Sequence, residues 1–245
     1  MRVEEARRFV VVGDIANDDF EFVLSEVLER ASIALERMYF DRVPRRVVTV
    51  WLLDGDASYR SYADTYLNHV PRSTYGYYAP HKRAIVLNYA MGAGTAVHEM
   101  VHAYVRASFP GAPSWFDEGL AALYEESEFR DEELHGLVNW RLPPLQLALE
   151  RGAAPRLVDV MTASRKRFYQ EPDRALYYAV ARYVCYALQE RGLLRRYYRL
   201  FHEQHHGDPG GIATLEAVTG TSLDDFERQW QAFVARLEYR SAPSP

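Results

Sequence analysis

This 245-residue chain has little cysteine, no long apolar run and no excess of basic charge. Its one cysteine, Cys185, cannot form an internal disulfide and lies in the apolar run AVARYVCYAL, which predicts a buried core thiol. No stretch approaches the roughly 18 uninterrupted apolar residues of a membrane-spanning helix, and the N-terminus lacks a signal-peptide core. We therefore expect no membrane span and, for the chain as written, a cytoplasmic location. An exported precursor trimmed of its leader would look the same.

The charge balance excludes two classes of partner. The net charge of −5 gives no general attraction to nucleic acid or to anionic membranes, and the basic residues are scattered. With 48% hydrophobic and 26% charged residues, the composition is typical of a globular protein that buries a sizeable core. There is no internal repeat, and residues 241–245 (SAPSP) are expected to be a disordered tail.

Apolar periodicity places strands early and helices late, which predicts an α+β fold. A long helix is expected over residues 18–38, between the first two of the predicted strands, which cover residues 8–12, 46–53, 75–78 and 84–89. After Gly94 the pattern becomes helical, with helices predicted at residues 95–108, 115–126, 174–191, 193–205 and 222–239. We divide the chain into an N-terminal subdomain (1–109), a helical C-terminal subdomain (110–240) and the tail.

One motif with catalytic potential lies where the predicted strands end and the predicted helices begin. It is TAVHEMVHAYV, residues 95–105. Positions four apart lie on one face of a helix, so His98 and His102 can present two imidazole nitrogens to one zinc ion. Glu99 points beside such a metal, where it can act as general base towards a water polarised by the ion. The apolar residues around the motif predict a buried helix in which both histidines need partners.

A second string of the same HExxH pattern occurs in LFHEQHHGDPGG, with His202, Glu203 and His206 in register. It lies in a polar stretch that runs directly into Gly207, so its helix is expected to end at the second histidine and hold no metal. We interpret this copy as a solvated helix terminus.

A catalytic zinc site uses three protein ligands and one open position. The segment PSWFDEGLAALYEE supplies Asp117 and Glu118 near the start of another predicted helix, and either carboxylate can complete the site. The longer pattern HExxHxxGxxH is absent, because Val105 and Ser108 stand where its glycine and third histidine would be. A metzincin is therefore disfavoured.

The pairing of HEMVH with WFDEGLA resembles the gluzincin peptidases, and most closely the small bacterial peptidase MA-like domains. That resemblance implies Glu118 as the third zinc ligand. It also implies a zincin-like fold, with a small mixed β-sheet and its edge strand, then the active-site helix, then a mostly helical region. The G-x-M-x-N phrase of the aminopeptidases is missing from YGYYAPHKRAIVLNYA, which disfavours an exopeptidase.

The resemblance suggests two further roles. The strand before the active helix would be the sheet edge that pairs with an extended peptide, here Ala84, Ile85, Val86, Leu87 and Asn88; a loop covering this edge is the alternative. A tyrosine or histidine from a later helix would stabilise the oxyanion, and among the tyrosines of ALYYAVARYVCYAL we favour Tyr178. Partners for the histidines are sought among Asp117, Glu125 and Glu126.

Three hypotheses follow. The first is a zinc metallopeptidase, with endopeptidase-like action on a peptide or extended protein segment, one Zn²⁺ per chain and Glu99 as general base. The second is a catalytically silent zincin-like module that binds or scaffolds a protein partner. The third treats HEMVH as a coincidence in a helical interaction protein without metal. The sequence favours the first, because a buried HExxH followed by a well-spaced EGLA is seldom accidental.

Overall fold

A computed structural model describes residues 1–67 and 73–240 of the chain. They fall into two compact units, one comprising Met1–Pro110 and Asp131–Leu134, the other comprising Gly111–Arg130 and the residues from His135 onwards. The fold is α+β, with a five-stranded mixed sheet near the N-terminus followed mostly by helices, as predicted. None of the helices in the described ranges has the length and apolarity that crossing a membrane requires.

The first unit alternates strands and helices before it ends in a 15-residue helix. Its helical run Asn17–Met38 contains a central π-helical segment, Val23–Glu29, and a short 3-10 turn, Tyr89–Met91, precedes the last helix. The elements are β1 (Arg2–Ala6), β2 (Phe9–Gly13), α1 (Asn17–Phe22), α2 (Arg30–Met38), β3 (Val48–Leu53), α3 (Gly55–Leu67), β4 (Gly76–Ala79), β5 (Ala84–Asn88) and α4 (Gly94–Ser108).

The sheet has the strand order β1-β2-β3-β5-β4. Strands β2, β3 and β5 run parallel, whereas β1 and β4 pair antiparallel at the two edges. The prediction that residues 84–88 form the edge strand is therefore wrong. All five residues of β5 are buried, and β5 pairs with β3 on one side and with β4 on the other, so its main chain is already satisfied. The strand next to α4 that lies at the edge is β4.

The predicted strands and the long helix are present, but two elements of this unit were missed. Strand β1 carries two adjacent glutamates and shows no apolar alternation, as suits an exposed edge strand. Helix α3 lies in a Tyr-rich stretch for which no element was predicted. Its Tyr59, Tyr62 and Ala63 are buried at helical spacing, a signal that the sequence does contain.

The second unit is built around α9, the 17-residue helix that packs against α5. From residue 111 onwards the chain forms α5 (Ser114–Leu123), β6 (Ser127–Arg130), β7 (Glu133–Gly136), α6 (Leu142–Glu150), α7 (Leu157–Met161), α8 (Arg165–Phe168), α9 (Arg174–Glu190), α10 (Leu194–Gln204), α11 (Ile212–Thr219) and α12 (Leu223–Val234), and the first two residues of β7 are assigned to the first unit. The β6–β7 hairpin was not predicted because its turn uses Asp131 and Glu132 at positive φ, where a glycine would have marked it.

Gly119 explains how α5 approaches α9 so closely. A Cβ atom at this position would lie 2.7 Å from the carbonyl oxygen of Ala181 and 3.1 Å from the sulfur of Cys185. We expect Gly119→Ala to lower the free energy of unfolding by about 1–3 kcal/mol, because the two backbones must separate. Urea denaturation measures the loss. Gly207→Ala is the control, since its Cβ would meet only an ordinary contact at 3.8 Å, and an equal loss in both variants would contradict the explanation.

Candidate metal centre

Helix α4 carries the first HExxH motif in a buried setting. His98 and Glu99 are 9% and 7% exposed, and His102 is half-buried. Apolar neighbours on the same helix, among them Met100, Val101 and Tyr104, are fully buried, which fixes the orientation of the helix against its own unit. The predicted helix over residues 95–108 is present, and the motif is held on a rigid element.

The two histidines and Glu118 converge. The Nε2 atoms of His98 and His102 lie 3.1 Å apart. One carboxylate oxygen of Glu118 and one ring nitrogen of each histidine all lie within 4.8 Å of one another, and among the residues that the structure describes this is the group of His, Cys, Asp and Glu side chains able to hold a metal ion. Asp117, the alternative that the sequence left open, is not part of this group.

The geometry fits a metal ion. Two imidazole nitrogens bound to one tetrahedral zinc at about 2.0–2.1 Å are roughly 3.3 Å apart, close to the separation of the two Nε2 atoms. Two imidazoles and a carboxylate are a common ligand set for a catalytic zinc with an open position. A buried carboxylate beside two imidazoles is also what a cation would stabilise. The cluster can therefore bind a metal ion.

Glu118 has a partner that the sequence analysis missed. The hydroxyl of Tyr169, just after α8, donates a 2.7 Å hydrogen bond to Oε1 of Glu118. Burial and the nearby Glu118 carboxylate raise the pKa of Tyr169, so the phenol stays protonated and remains a donor. Nothing in the local sequence RKRFYQ marks this tyrosine, because its role depends on α8 packing against α5. Of the residues predicted as partners for the histidines, Glu125 forms an ion pair with Arg141 at 2.8 Å.

Several contacts within the second unit hold α5, and with it Glu118, in place. The indole nitrogen of Trp115 donates to the carbonyl oxygen of Gly210 at 3.0 Å, and the ring stacks on Phe201 at 6.4 Å. At the other end of the helix, the fully buried Arg182 donates to the carbonyl oxygens of Ala122 and Leu123. Trp115 is 1% exposed and is therefore a packing residue of this unit.

Tyr59, a buried tyrosine of the first unit, is close enough to Glu99 for the two to interact electrostatically. Tyr59 is fully buried, and its hydroxyl donates to the carbonyl oxygen of Ser73 at 3.0 Å. Its pKa is raised by burial first, then by Tyr77 and by the charge of Glu99.

The tyrosines of α9 divide into structural residues and one candidate. Tyr183 accepts from the amide nitrogen of Asn139 and donates to its carbonyl oxygen, and Tyr186 stacks on Phe233. Tyr178 is half-buried, and its ring lies 6.2 Å from that of Tyr169, the partner of Glu118. Its assignment as oxyanion stabiliser stays a prediction.

The second HExxH string is a helix terminus. Helix α10 ends at Gln204, before His206, which is exposed together with Glu203. In the part of the chain that the structure describes, His202 and His206 join no group of potential ligands. The interpretation made from the adjoining Gly207 is confirmed.

Scans of the chain against protein-family models and against curated proteins found no match.

The hydrogen bond from Tyr169 leads to a prediction about metal affinity. Tyr169→Phe removes a donor that orients Glu118, and loss of such a partner costs about 10- to 100-fold in metal affinity. Competition with a chromophoric chelator measures the zinc dissociation constant. Tyr183→Phe is the matched control, because it also loses buried hydrogen bonds but touches Asn139 and not Glu118. Equal affinities in wild type and Tyr169→Phe would show that this bond does not orient a ligand.

Proposed function

We propose that this protein is a zinc-dependent metallopeptidase of the gluzincin type, acting on a peptide or extended protein segment. The observation that carries the proposal is the convergence of His98, His102 and Glu118, with Glu99 one position along the same helix from the first histidine. Zinc is the metal we assign, because two imidazoles and one carboxylate suit it and leave an open position.

We assign a role to each residue of the candidate site. His98, His102 and Glu118 hold the ion, which when bound lowers the pKa of water and polarises a substrate carbonyl. Glu99 accepts a proton from the attacking water and returns it to the leaving amine. Tyr178 is the proposed hydrogen-bond donor to the negative charge that develops on the carbonyl oxygen. Tyr169 keeps Glu118 oriented.

We propose β4, and not β5, as the strand that binds substrate. An extended peptide binds to a sheet edge through main-chain hydrogen bonds, which require unpaired N–H and C=O groups. Strand β4 lies at the edge of the sheet, and it also contacts α4, the helix with the two histidines. We therefore propose that the substrate pairs with residues 76–79 of β4. Residues 84–88 of β5 pair with the opposite side of β4.

Metal removal tests the proposal. The zinc-loaded protein is incubated with a mixture of quenched fluorescent peptides, then treated with chelator, then resupplied with zinc. We expect cleavage, its loss on chelation and its recovery with zinc. Bound zinc without turnover of any peptide would favour a silent binding module, and absence of zinc from the supplied protein would refute the metal site itself.

A further inference from the structure

Four arginines gather around one concavity of the first unit. Arg45 and Arg46 precede β3, Arg83 precedes β5, and Arg106 lies near the end of α4. They line a cavity of about 270 Å³ whose wall also includes Tyr78 of β4. We call this the arginine pocket. All four arginines are exposed, so a ligand in solution can reach them.

The described residues that line the arginine pocket include no aspartate or glutamate. Within residues 1–67 and 73–240, none of its four guanidinium groups forms an ion pair with a carboxylate. Other surface arginines do, as with Arg7 and Glu36 at 2.8 Å and Arg60 and Asp56 at 2.7 Å. Four like charges around one cavity repel one another, and in a chain of net charge −5 this arrangement favours a bound anion.

The position of the pocket relates it to the proposed reaction. Arg106 follows His102 by four residues, so it lies one turn further along nearly the same face of α4. Tyr78 belongs to β4, the edge strand that we propose pairs with substrate. The pKa of Tyr78 is raised by burial, and Arg106 and Arg83 act against that rise, as expected for guanidinium groups close to its hydroxyl. The backbone of Arg83 is itself held, since its carbonyl oxygen accepts from the amide nitrogen of Thr49 at 2.9 Å.

We propose that the arginine pocket is an anion subsite that takes carboxylate side chains of an extended peptide lying along β4. This rests on the proposed function and adds a substrate class to it, namely acidic peptides. Guanidinium groups bind carboxylates and phosphates by the same forked hydrogen bonds, so a phosphorylated residue is the other source of this chemistry. Glutamate and aspartate side chains are the source that we assign.

A binding experiment tests the subsite apart from turnover. The probes are a fluorescein-labelled 12-residue (Glu-Ala)₆ peptide and its (Gln-Ala)₆ counterpart, since alternation puts every carboxylate on one face of an extended strand. Fluorescence anisotropy is measured on zinc-loaded Glu99→Gln, which binds substrate without consuming it. We expect the Glu peptide to bind at least about five-fold more tightly at low salt, with the difference shrinking at about 1 M salt because exposed ion pairs are screened.

Two double variants, each made in the Glu99→Gln protein, test whether the preference for the Glu peptide depends on the arginine pocket. Arg83→Ala with Arg106→Ala should remove the preference for the Glu peptide. Arg30→Ala with Arg60→Ala is the matched control, because it changes the net charge equally but away from the pocket, and it should keep the preference. Equal binding of both peptides, or equal loss in both double variants, overturns the subsite.

The outcomes separate this inference from the proposed function. If the wild type cleaves Gln and Glu peptides equally, the peptidase assignment stands and the acidic preference is refuted. If no peptide is bound or cleaved, the proposed function fails. Inorganic phosphate is the third probe: phosphate binding that depends on Arg83 and Arg106, without preference for the Glu peptide, overturns the carboxylate assignment and points to phosphate as the ligand.

Discussion

His102→Ala is expected to abolish metal binding, lowering the content from one zinc per chain to none. The variant removes one of the three residues proposed to hold the ion and leaves His98 and Glu118, and two ligands are too few to retain the metal during purification. Metal content is measured by mass spectrometry on protein purified without affinity histidines. Chelator should also lower the melting temperature of the wild type but not of the variant, because a ligand that binds only the folded state stabilises it.

The second HExxH string provides the control for this experiment. His206 occupies the same place in its string as His102 does in the first, yet it lies beyond the end of α10 and is exposed. His206→Ala should therefore keep the full zinc content. Loss of metal only in His206→Ala, or no metal in wild type after zinc is supplied, would refute the site on α4.

Glu99→Gln is expected to lower kcat by about 100- to 10,000-fold while leaving zinc bound, since general-base catalysis contributes on that scale. Glutamine has nearly the shape of glutamate but cannot accept the proton from the attacking water. Because Glu99 is absent from the group of potential ligands, metal content should not change. Peptide hydrolysis and zinc content are measured on the same preparation.

Glu203→Gln is the matched control for Glu99→Gln. Glu203 holds the equivalent position in the second string but is exposed on α10, so its replacement should leave turnover unchanged. If Glu99→Gln keeps full turnover with zinc bound, Glu99 is not the base. If it loses zinc as well, the lost activity reports on the metal and not on proton transfer.

The spacing of residues within single segments was sufficient to predict much of the fold and the histidine pair of the candidate site. His98 and His102 are four residues apart, and a helix brings such positions to one face whatever the rest of the fold does. The α+β class and the helices α4, α9 and α10 also follow from periodicity within single segments. The second string was likewise judged from local residues, because Gly207 directly after His206 predicted a helix end at this histidine, and α10 ends two residues earlier, at Gln204.

Contacts between distant residues could not be predicted in this way. The β4–β5 order decides which strand lies at the sheet edge, and it depends on the pairing of β5 with β3, a strand from an earlier part of the chain. The hydrogen bond from Tyr169 to Glu118 joins residues 51 positions apart, and the arginine pocket collects side chains from three separate segments. Spacing along one helix is a local property, so the sequence alone determined the histidine pair and the place of Glu99 next to His98. Strand order and side-chain partners depend on how remote segments pack, so only the tertiary structure decided the exposed edge, the donor to Glu118 and the cluster of positive charge.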